Sequence, residues 1–170
     1  MDQLDENPPF HIRFGPDFCG TATRHVLFSI QVDGKEYELK EKIRAPTDRR
    51  THAYTLKIFP DGAFHIGVDA YSYPYKKFTL ETHMPDLHKD HPNWQVPVLG
   101  SVVIDVWQVK SGMMFDNMLI TDTEDELLEW VDAKWNAKHV DEEWKLLSSV
   151  RAHRILPCSL SLSQPHRWTC

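Results

Sequence analysis

Along Ile104 to Asp122 the side chains fall into two alternating runs separated by Ser111-Gly112. In the first run Ile104, Val106, Gln108 and Lys110 alternate with Asp105, Trp107 and Val109. In the second, Met113, Phe115, Asn117, Leu119 and Thr121 alternate with Met114, Asp116, Met118 and Ile120. A period of two broken by a two-residue turn predicts a β-hairpin. Because both faces of both runs carry apolar residues, the hairpin is expected inside a sandwich and not at its rim. Asp105 and Trp107, two residues apart, are expected on one face.

The same period marks the earlier part of the chain. His11 to Phe14 fits a short strand ended by Gly15-Pro16. His25 to Val32 and Lys35 to Ile43 flank Asp33-Gly34, a strong hairpin signal, with Val26, Phe28, Ile30, Tyr37 and Leu39 forming a buried face. Ala45 to Arg50 is a loop with two adjacent arginines. His52 to Phe59 and Ala63 to Asp69 form a further hairpin across Pro60-Asp61-Gly62. Residues 70–99, with Pro74, Pro85, Pro92 and Pro97, keep little alternation beyond a short strand candidate at Lys77 to Glu81. From Thr123 the period becomes helical. Thr123 with Glu126 fits a capping box, and Leu127, Leu128, Val131 and Trp135 line one side. A helix is predicted over about Glu124 to Leu147, bent near His139, with the stripe resuming through Trp144 and Leu147. Arg151 to Cys170 reads as a loose tail.

Composition narrows the function classes. At 170 residues with 41% hydrophobic content, the chain can build one real core. The net charge of −6 argues against a nucleic-acid partner and is compatible with cation binding. No run reaches the ~18 apolar residues of a bilayer span. The acidic start MDQLDENPPF is unlike a signal peptide, and HRWTC is unlike a retrieval signal. No nucleophile motif, phosphate-cradling glycine loop or carboxylate pair points to an enzyme. Three cysteines, Cys19, Cys158 and Cys170, are expected as free thiols, with pairing of Cys19 to either of the others as the alternative.

Three ordered blocks carry a resemblance: FGPDFCG at 14–20, THAYTL at 51–56, and DVWQVKSG at 105–112 followed by FDN and LIT. They resemble the FGPD-x-CG, TH-x-YTL and post-arm strand motifs of the calreticulin and calnexin family, closest to calreticulin. That family consists of luminal lectin chaperones that bind monoglucosylated glycoproteins and calcium. The resemblance implies a mainly β fold, a partial concanavalin-like jelly-roll β-sandwich with one C-terminal α-helix. Residues 1–150 would form the partial globular lectin domain and 151–170 the tail. In the family, residues 70–99 would bear a long arm of proline- and tryptophan-rich repeats. This chain has no such repeats, so no oxidoreductase co-chaperone is expected. The cysteine of the first block pairs, in the family, with one on an earlier strand that has no counterpart here.

By the same resemblance, Asp17, Asp105 and Trp107 are the candidate carbohydrate-binding residues. Their types suit the task, because carboxylates accept from sugar hydroxyls and an indole stacks on a pyranose. The other reading of each is a turn cap or a core residue. A family tyrosine and methionine beside the first block fall at Phe10 and Arg13, and a tyrosine–lysine pair has no counterpart, so the pocket should bind weakly. Asp116 matches a carboxylate that grips Ca²⁺, an ion that takes six to eight oxygens. His52 falls at a position associated with chaperone function; its alternative is a hydrogen-bonded core imidazole. His83, His88 and His91 match no standard zinc spacing. The expected function is a calcium-dependent lectin chaperone of the endoplasmic reticulum lumen, binding glycoprotein glycans and unfolded polypeptides. The alternative is a truncated, non-lectin interaction or holdase module.

Overall fold

The protein's structure is a computed structural model that describes residues 9–18, 23–48, 50–69, 76–105 and 112–154; the side chains of Lys76 and of 149–154 lie outside the description. Two antiparallel sheets face each other. In the first, β1 (Ile12–Asp17) pairs with β2 (His25–Val32), and β2 pairs along its other end with β3 (Lys35–Glu38) and near its start with β4 (Ile43–Arg44). In the second, β5 (Tyr54–Ile58), β6 (Phe64–Val68) and β7 (Lys76–Phe78) lie in order.

Turn chemistry explains both predicted hairpins. Asp33 and Gly34 take φ of 50° and 78°, the mirror-image turn that suits strand twist. Gly62 closes the second hairpin at φ 78°, where an added Cβ would lie 3.2 Å from the Trp94 carbonyl oxygen. Inward-facing Val26, Phe28 and Ile30 meet Phe64, Ile66 and Val68 in one core. The Phe28 and Phe64 ring centroids are 4.6 Å apart, and Phe64 stacks on Phe78 at 5.2 Å. A fully buried phenylalanine of this kind contributes about 2–3 kcal/mol from desolvation. The expected partial β-sandwich with its C-terminal helix is therefore present.

Four local expectations change. β1 does not stop at Gly15-Pro16 but runs on to Asp17. It is an edge strand, where a missing proline N–H is tolerated. Residues 80–90 are helical, as α1 (Leu80–His83) and α2 (Pro85–Asp90), with Pro85 at the first helical position of α2. Leu80, Met84 and Leu87 enter the core, and Asp90 accepts hydrogen bonds from Lys35 and Tyr37 on β3.

The hairpin predicted over 104–122 is not formed by its described residues. Residues 101–105 and 112–122 lie outside any strand and are almost all exposed. Asn117 sits at φ 55°, a left-handed conformation that interrupts a strand. A two-stranded hairpin also needs a sheet or helix to cover it.

The last change concerns the helix, which comprises α3 (Glu124–Val131), one π-helical turn (Asp132–Asn136) and α4 (Ala137–Arg154). Thr123 sits at the N-cap without bonding the backbone; its hydroxyl and that of Thr121 donate instead to Glu126. Val131 and Trp135 are buried, with Ala53, Leu127 and Trp130 packed around them. Trp144, nine residues beyond Trp135 and so two and a half turns round, is exposed.

Candidate functional site

Asp17 ends β1, half-buried, with its Cα opposite that of His25 on β2. Asp105 is exposed and in no strand, and Trp107 lies outside the described residues. The structure therefore does not bring this candidate glycan set together on one described sheet face. Beside Asp17, at the other end of β1, the Arg13 guanidinium lies 4.1 Å from the centroid of the Phe10 ring and 3.5 Å from Glu36. One face of the Phe10 ring is thus covered by a cation.

Asp116 faces hydrogen-bond donors. The Lys138 ammonium lies 2.9 Å from Oδ2, the Asn117 side-chain N–H donates to Oδ1 at 2.9 Å, and the hydrogen bond from Lys138, helped by its charge, holds the carboxyl below its usual range. Among the described residues, no group of three His, Cys, Asp or Glu side chains is placed to hold a metal ion. One carboxylate shared with two nitrogen donors does not fit calcium, which needs a shell of oxygens. The histidines of 83–91 form no such group either.

His52 is the centre of the best-defined constellation. Its Nδ1 lies 2.8 Å from Asp69 Oδ2 and its Nε2 lies 2.7 Å from Asp48 Oδ1. Each ring nitrogen thus faces a carboxylate oxygen, and the imidazole bridges the two acids. Asp69 also accepts from the Ala53 N–H at 3.0 Å, and Asp48 accepts from the Arg50 backbone at 3.0 Å and its guanidinium at 2.7 Å. Burial works against the Asp48 charge, but Arg50 and His52 outweigh it and hold the carboxyl well below the usual carboxylate range. Burial, with Asp69 and Asp48 nearby, pushes Tyr54 up to about 12.

The neighbouring residue ties this loop to the helix. Thr51 donates through its N–H (2.8 Å) and its hydroxyl (2.5 Å) to Glu142, and its carbonyl accepts from the Trp135 indole at 3.3 Å. Burial opposes ionisation of Glu142, yet the two Thr51 bonds keep its carboxyl below the usual range. Stacking of His139 on Trp135 at 4.8 Å completes the seam. His52 thus organises the place where the THAYTL strand receives α4. Asp48, Asp69 and Glu142 were not singled out by the sequence; the only local signal was the polar, arginine-bearing loop before Thr51.

A second feature is an apolar surface. Val98, Val102, Val103 and Ile104 on one stretch, and Met114, Met118 and Ile120 on another, are exposed, Val98 and Met114 almost completely at 96% and 95%. Large apolar side chains so concentrated are uncommon on a surface that has no partner.

Comparison with known proteins bears on both features. The family model described as "Calreticulin family" matches residues 1–89. The calreticulin of Chlamydomonas reinhardtii is 42% identical over 69 residues, 41% of this chain and 16% of that protein. The calreticulin of Bombyx mori is 43% identical over 63 residues, covering 36% and 15%. Human calreticulin-3 is 21% identical over 212 residues, taking in 78% of this chain and 55% of the relative. The chain therefore spans only a part of the relatives it matches. The last alignment is longer than this whole chain of 170 residues, so the human protein carries residues inside the matched stretch that are lacking here.

Proposed function

Because this chain belongs to the calreticulin family, we propose that it is a chaperone of the calreticulin type that holds unfolded polypeptides in the endoplasmic reticulum lumen. The observation that carries this reading is the pair of exposed apolar stretches, 98–104 and 113–120. Extended client segments with apolar side chains gain by covering such a surface, at about 25 cal/mol per Å² of apolar area removed from water. The task is binding and not catalysis. His52 serves it indirectly, by fixing the loop against which the helix docks.

Light scattering from a heat-denatured, non-glycosylated client tests the reading. The chain is expected to suppress aggregation, and the double variant Val98→Glu/Met114→Glu is expected to lose most of that effect with an unchanged melting curve. Failure of the unaltered chain to suppress aggregation would contradict it.

A second reading adds glycan recognition through Asp17, Asp105 and Trp107. It is favoured by the FGPD block, whose Asp17 falls within the matched region. Isothermal titration with a monoglucosylated tetrasaccharide is expected to give heat that Asp17→Asn and Trp107→Ala each remove; absence of heat from the unaltered chain rules this reading out. If the chain shares the family's calcium binding, it draws on ligands other than the Asp116 pairing described above.

A further inference from the structure

Where β2 begins, beside β4, an open cleft of about 370 Å³ is lined by Thr23, Arg24, His25, Lys42 and Arg44. Among the described residues its lining holds four basic side chains and no carboxylate, in a chain whose net charge is −6. The sheet register explains the cluster. His25 and Arg44 are directly paired across β2 and β4, so they share a face, and Lys42, just before β4, also lines the cleft. The Ala45 N–H donates to the Arg24 carbonyl at 3.1 Å, which fixes Arg24 at the end of the same pair of strands.

Among the described residues, neither the Arg24 nor the Arg44 guanidinium takes part in an ion pair or side-chain hydrogen bond, and both residues are exposed. Lys42 has an exposed contact with Glu38 at 3.4 Å, of a kind that contributes little. On the other side of β2, the Cα of Asp17 on β1 lies opposite that of His25.

We propose that this cleft binds a phosphoryl group, either free or carried on a sugar. Guanidinium groups present paired N–H donors that match phosphate oxygens, and two of them with an ammonium and an imidazole surround such a group from several directions. A hydroxyl-bearing carrier would bring its hydroxyls toward Asp17. The site makes no use of the apolar stretches, Asp105 or Trp107, so it stands apart from the client-holding reading, and it touches the glycan reading at Asp17 alone.

Isothermal titration of the full chain at low ionic strength, with inorganic phosphate, glucose 6-phosphate and glucose as probes, tests it. Both phosphates are expected to bind and glucose is not, with affinity falling as salt is raised. Arg24→Gln/Arg44→Gln should weaken both phosphates by about tenfold or more. The control Lys89→Gln, an exposed cation on α2, should change them by less than about twofold. Tighter binding of glucose 6-phosphate than of inorganic phosphate assigns the sugar-borne group, and equal binding assigns the free anion. The proposal is overturned if neither phosphate binds, if the double variant with an unchanged circular dichroism melt still binds both, or if Lys89→Gln weakens them equally.

Discussion

His52 shows how much a single ring can organise. It stands between two carboxylates that come from opposite sides, Asp48 four residues before it and Asp69 from the end of β6. Replacing it with alanine leaves both acids without their shared partner, and His52→Ala is expected to cost on the order of 1–3 kcal/mol in a denaturant titration. Asp48 adds a pH dependence whose sign follows from its depressed pKa. Its stabilisation is complete above the unfolded-chain value of about 3.9 and drains away as pH falls below it. The melting temperatures of the parent and Asp48→Asn should therefore differ most near neutrality and converge in acid. A constant difference across that range would contradict the assignment.

The sequence placed His52 in a strand with a hydrogen-bonded imidazole as one reading, and the bonds are there. One partner, Asp69, was hidden because tertiary folding brings it in, and the same holds for Glu142 beside Thr51, while Asp48 lay only four residues away in a loop that no motif marked.

At the scale of elements, legibility follows the reach of the signal. Asp33-Gly34 and Asp61-Gly62 announce hairpins because turn geometry is decided within a few residues. The period of Leu80, Met84 and Leu87 was masked by Pro85, which looks like a breaker and is instead a helix start. With 106–111 outside the described residues, residues 112–122 mislead in the opposite sense. Their alternation states what a strand would look like, but a strand exists only with a ladder partner, and Asn117 at φ 55° turns the chain aside.

The helix tests another element-level claim. Its described contacts with the sandwich include the buried Val131 and Trp135, the Thr51–Glu142 bonds and the exposed Lys57–Glu124 ion pair at 2.8 Å. Truncating a buried tryptophan costs about 3–5 kcal/mol. Trp135→Ala should therefore expose residues 124–148 to trypsin while the sheet transition in a thermal melt stays in place. If the sheets melt together with the helix, the seam is part of the main core.

For the whole molecule, the β-sandwich was readable because its core residues alternate within the chain itself. The carbohydrate set was readable only as types: Asp17 lies at a strand end, Asp105 is exposed in an irregular stretch, and position 107 falls outside the described residues. What the fold adds is the exposure of apolar side chains at 113–120, where a buried strand was predicted, and at 98–104, just before that hairpin. The family's chaperone character and that surface together make client holding the central claim. Hydrogen exchange read by mass spectrometry, with and without a reduced, unfolded client, tests it most directly. Client is expected to slow exchange across 98–104 and 113–120 and to leave β2 and β6 as they were. Protection confined to the sheets, or no protection at all under conditions where the client stays soluble, would contradict it.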